Sequence, residues 1–71
     1  MPRYVVTTRR AKLGSAVSAR DAVSNEAGVK LLGGDNPDSV VIEAPEDVAS
    51  ELRTKLRDTH FVEPEVRRSL L

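Results

Sequence analysis

Few residues in this chain of 71 could carry chemistry, and each fails a simple spacing test. His60 is the only histidine, and there is no cysteine. One imidazole without thiolates or a spaced carboxylate cluster does not make a metal site. It is more simply a structural side chain, or at most a pH-sensitive contact near a strand. Serines occur along the chain, but none stands in a pattern with His60 and an aspartate that would build a nucleophilic triad. Gly33-Gly34 resembles a phosphate loop only in glycine content, because no Lys-Ser/Thr ending and no helix follow it. Glu63 and Glu65 alternate and so share one face of a strand. As a general acid and base they would need a cleft, and so short a chain offers little room for one. The chain therefore reads as a non-enzyme without a cofactor or metal, and its carboxylates as groups offered to another molecule.

Composition narrows the partner. Lys and Arg together number 11, as do Asp and Glu, so the net charge is zero. Nucleic acid binding calls for a basic footprint, which is missing. Tyr4 and Phe61 are the only aromatic residues, too few for a base-stacking platform. No apolar run approaches the ~20 residues that span a bilayer, so no membrane partner is expected. The N-terminus has Arg3 but no hydrophobic signal region. A cytoplasmic location is the expectation for the chain as written, and a secreted one if a leader has been removed. The charge is uneven: residues 1–30 hold six basic and two acidic groups, residues 31–66 three basic and nine acidic. An acidic face directed at a partner is one outcome of such a split. A domain of this length buries only about 60% of its unfolded surface, so partner binding would firm it.

The elements that position these groups follow from patterning. Tyr4-Val5-Val6-Thr7-Thr8 is β-branched and aromatic, a first strand. From Ser15 the spacing becomes helical, with Ala16, Ala19, Val23 and Ala27 on one face. Ser15 or Ser18 caps this helix, and Gly28 ends it. Val29 to Leu32 is a short second strand, residues 33–38 a long turn, and Ser39 to Glu43 the third strand. Pro45 opens a second helix, with Glu46 and Asp47 in its first turn and Arg53, Lys55 and Arg57 toward its end. Val48, Ala49, Leu52 and Leu56 form its apolar face, and the helix ends near Asp58-Thr59. A fourth strand starts at His60.

The order β-α-β-β-α-β predicts an α+β fold, a ferredoxin-like sandwich with a four-stranded antiparallel sheet and two helices on one face. Strands one and three are then central. Strand four is an edge, which tolerates Pro64. The other sheet face is left uncovered, a natural docking surface. Residues 1–65 form this domain and residues 66–71 an extended C-terminal tail.

In that order the pieces resemble the prodomain of subtilisin-like serine proteases, the inhibitor I9 family, which includes stand-alone members. Tyr4-Val5-Val6 is similar to the family's opening strand, and Ala22 to Gly28 to the end of its first helix and the following glycine. Val48 to Leu56 is similar to its second helix, and Phe61-Val62-Glu63-Pro64-Glu65 to its Val-Glu-Pro-Asp segment. The likeness spans nearly the whole chain. Glu65 stands where aspartate is common, and Arg68 where a small or apolar residue is common.

The resemblance implies an inhibitor, and a folding helper in trans, of a subtilisin-like serine protease. The chain alone would be a monomer, and with the protease a heterodimer. The open face would pack on two surface helices of the protease, with Glu63 and Glu65 capping them. Arg68, Ser69, Leu70 and Leu71 would lie in the active-site cleft, with Leu71 in the primary pocket. The alternative from the residues alone is a ferredoxin-like interaction module without a protease partner, docking through its face or an edge, a homodimer being one form of it.

Overall fold

A computed structural model describes residues 2–65. Its elements are β1 (Arg3–Thr8), a 3-10 turn (Arg10–Lys12), α1 (Ala19–Ser24), β2 (Lys30–Asn36), β3 (Ser39–Glu43), α2 (Glu46–Lys55) and β4 (His60–Pro64). The sheet order is β2-β3-β1-β4, antiparallel throughout. This is the expected α+β, ferredoxin-like arrangement, with β1 and β3 central and β4 at an edge.

Period-two alternation decides what is buried. Tyr4, Val6 and Thr8 of β1, Val40 and Ile42 of β3, and His60 and Val62 of β4 turn to one side and are buried. Both helices pack there. Ala19 and Val23 of α1, and Ala49 and Leu52 of α2, close a single core with the strand residues. Valine and isoleucine in the sheet meet alanine in the helices, so the helices can sit close. The helices occupy one side, and the odd-numbered residues of β1, β3 and β4 face away from them.

Helix α1 is shorter than its spacing predicts. It ends at Ser24, with Asn25 as C-cap, and not at Gly28. Ala16 is half-buried and Ala27 exposed, and neither belongs to the core. Of the two candidate caps Ser18 is used, its Oγ accepting from the Asp21 N–H at 3.2 Å. Helix α2 also stops early, at Lys55, and residues 56–59 form a turn.

The hairpin is tighter than its composition predicts. Gly33-Gly34-Asp35-Asn36 is part of β2, which runs on to Asn36, so only Pro37 and Asp38 connect it to β3. The connection is tight because the Asn36 Oδ1 accepts from the Asp38 N–H at 2.9 Å. The glycines are used within the strand. The register of β2 on β3 shifts on both sides of Gly33. Gly34 has φ +142°, and a Cβ there would stand 2.7 Å from the Ser39 carbonyl oxygen. Gly14, at φ +84°, has nothing within 4 Å of a Cβ. Gly14→Ala is therefore expected to cost about 1–2 kcal/mol from backbone conformation alone. Gly34→Ala should cost more, because the hairpin backbone must also move. Urea denaturation of the two variants checks this; equal midpoints would contradict the close approach.

Candidate protein-docking site

The open face is built from rows of cross-strand partners. At one end Lys30 pairs with Glu43, Glu43 with Arg3, and the Glu65 N–H donates to the Arg3 carbonyl at 2.9 Å. The row reads cation, anion, cation, anion across the four strand positions. Its outer pair on the β4 side closes as an ion pair, Arg3 Nη1 to Glu65 Oε1 at 3.9 Å. The next row holds Gly33, Val41, Val5 and Glu63. Leu32 joins it through the bulge, and with Arg3, Val41 and Glu65 lines a shallow depression. The third row holds Ser39, Thr7 and Phe61, with Leu13 beside them in a second hollow.

This geometry separates two carboxylates that the sequence treats alike. Glu63 and Glu65 do lie on the open face, two residues apart on β4 and its continuation. Glu65 is already engaged by Arg3, and its side chain is only 26% exposed. Glu63 is exposed, opposite the half-buried Val5, and makes no ion pair among the described residues. Glu63 is thus the carboxylate free to meet a new donor. Arg68, Ser69, Leu70 and Leu71 lie outside the described residues.

The corner of the face near Phe61 was not legible as a site. Phe61 is 43% exposed, with the Arg9 guanidinium 4.0 Å from its ring centroid. Arg9 is held in turn, its Nε donating to the Arg57 carbonyl at 2.9 Å. Residues 9–13 place a 3-10 turn and Leu13 at this end of the sheet.

The two sheet edges differ. The Arg9 N–H donates to the Thr59 carbonyl and the Glu65 N–H to that of Arg3, both at 2.9 Å. Bonded positions alternate in an antiparallel pair. Phe61 and Glu63 therefore bond to β1, and His60, Val62 and Pro64 turn their backbone groups outward. Two of those outward groups are used. The His60 N–H donates to the Leu56 carbonyl at 2.8 Å, and the Val62 carbonyl accepts from Arg53 Nε at 3.1 Å. Pro64 has no N–H to offer. The β4 edge is thus partly blocked to strand addition. The β2 edge is broken by its bulges, and Arg20 Nη2 donates to the Gly34 carbonyl there at 3.4 Å. The face is the more open of these surfaces.

His60 is a structural residue. It is 2% exposed, with Nε2 2.9 Å from the Val17 carbonyl and Nδ1 2.7 Å from the Thr59 hydroxyl. A carbonyl only accepts, so Nε2 carries the proton and donates. The ring thereby fixes the loop before α1 to the start of β4. Among the described residues no group of three or more His, Cys, Asp or Glu could hold a metal, and no helix is long and apolar enough to cross a membrane.

Comparison of the chain with protein-family models, curated proteins and solved structures finds no match. The likeness to subtilisin prodomains therefore stands on the residues quoted for it.

His60→Phe keeps the ring volume and removes both hydrogen bonds, orphaning the Val17 carbonyl. The expected loss is about 1–3 kcal/mol in chemical denaturation. An unchanged midpoint would show that His60 does not tie the loop to β4.

Proposed function

We propose that this protein inhibits a subtilisin-like serine protease by docking its open sheet face on the enzyme. The observation that carries this reading is the placement of an unpaired, exposed Glu63 beside the apolar strip of Val5, Val41 and Leu32. A flat surface of this kind suits a partner that offers apolar side chains and a helix N-terminus. The orphan amides and positive dipole end of a helix attract a carboxylate. Glu65, held by Arg3, would take the lesser share. Residues 66–71 follow β4 directly in sequence. In this reading Arg68, Ser69, Leu70 and Leu71 enter the active-site cleft as an extended peptide, and the bound domain can also assist the protease to fold.

The test is inhibition of several subtilisin-class proteases by the whole chain and its variants. A carboxylate at a helix terminus is worth about 0.3–2 kcal/mol, so Glu63→Ala should raise the inhibition constant by about 2- to 30-fold. Glu46→Ala, on the helix side, should leave it unchanged. Equal losses at the two positions would sink the capping role. Deleting Ser69, Leu70 and Leu71 should abolish most inhibition; full inhibition without them would refute the tail mechanism. If no such protease is inhibited, an interaction module without a protease partner becomes the better account. The alternating charge row favours that second reading independently.

A further inference from the structure

The charge row has a property that no protease partner requires: it is complementary to itself. Its order across the sheet is Lys30, Glu43, Arg3, Glu65. We propose that two copies of this chain associate face to face through it, about a two-fold axis parallel to the strands between β3 and β1.

Such an axis places β2 over the partner's β4 and β3 over the partner's β1, with the rows kept level. Lys30 then meets a Glu65, and Glu43 meets an Arg3. The two-fold repeats both contacts, so all four meetings join opposite charges. In the next row Val41 lies over Val5, apolar on apolar, while Leu32 and Glu63 stand at the sides. Ser39 and Thr7 face each other in the third row. The other in-plane axis, across the strands, would set the four charges against Ser39, Thr7 and Phe61 and match nothing. Packed sheets cross at about 30°. The outer strands lie ~7 Å from the axis at the usual strand spacing, so the crossing shifts them by ~4 Å. Lys and Glu side chains span that offset. Pairing through the edges is hindered, since Arg53 and Pro64 block part of β4 and bulges interrupt β2.

The surface is small. Four strands by five residues cover about 19 by 17 Å, which places the interface in the weak, transient class. Association should be weaker than ~1 µM and visible toward ~1 mM. This does not rest on the protease reading. Inhibition assays run at concentrations where the chain is a monomer, so either idea can fail alone.

The test is a charge swap in trans, read by sedimentation equilibrium. In a pair of Lys30→Glu copies each new Glu faces the other copy's Glu65, and in a pair of Glu65→Lys copies each new Lys faces the other copy's Lys30. Each variant alone should dimerise about tenfold or more weakly than the natural chain. Mixed together, they restore all four opposite-charge meetings, and the mixture should associate nearly as well as the natural chain. Damage within one monomer would not be repaired by the other. Methyl NMR of the natural chain needs no variant: Val5, Val41 and Leu32 should shift with concentration, while Val23 and Val48 should not. A natural chain still monomeric at ~1 mM, single variants that dimerise like it, or a mixture no better than its parts would each overturn the proposal.

Discussion

One constraint shapes this molecule: its sheet is buried on one side only. Two helices, of six and ten residues, are enough to cover a single face of four strands. The core is accordingly thin, with four of its largest fully buried side chains being Ile42, Val6, Val23 and Val40. The chain has no cysteines with which to reinforce it. Everything else follows from that choice. Strands β1, β3 and β4 must alternate strictly, since a slip of one residue would expose the core and bury the charge row. The edges must be guarded separately, which Arg53, Pro64 and the β2 bulges do in part. The remaining face keeps an apolar centre and charged margins. A partner on that face would supply the second layer that the chain itself lacks.

The strands were the most legible part of the sequence. Tyr4 to Thr8 and Ser39 to Glu43 are runs rich in β-branched residues that form β1 and β3, and Glu63 and Glu65 share a face as their spacing requires. The order of elements was enough for the topology, because short connections and right-handed crossovers leave few alternatives. The errors lie where one residue type has two uses. Gly33-Gly34 reads as a turn by composition, yet it serves a bulged strand that approaches the Ser39 carbonyl too closely for any Cβ. Ala27 fits the helical spacing, but the helix ends at Ser24 and leaves it exposed.

The functional surface was only half legible. A free Glu63 and an engaged Glu65 cannot be told apart until Arg3 is placed beside Glu65. The charge row was wholly hidden. Its members come from four distant stretches of the chain, and three separate strand pairings must be in register to line them up. The stack of Arg9 on Phe61 depends in the same way on the loop returning to the end of β4. Local pattern specified the elements; the face is a product of their pairing.

The central claim is that the uncovered sheet face is where this protein meets its partners. Methyl NMR of valine- and leucine-labelled chain, titrated with a subtilisin whose catalytic serine is replaced, tests it most directly. The account predicts that Val5, Val41 and Leu32 lose intensity or shift, while Val48 on α2 and the core residues Val6 and Val23 are little affected. Changes centred on Val48 and the helix side, with the sheet-face methyls unmoved, would contradict it.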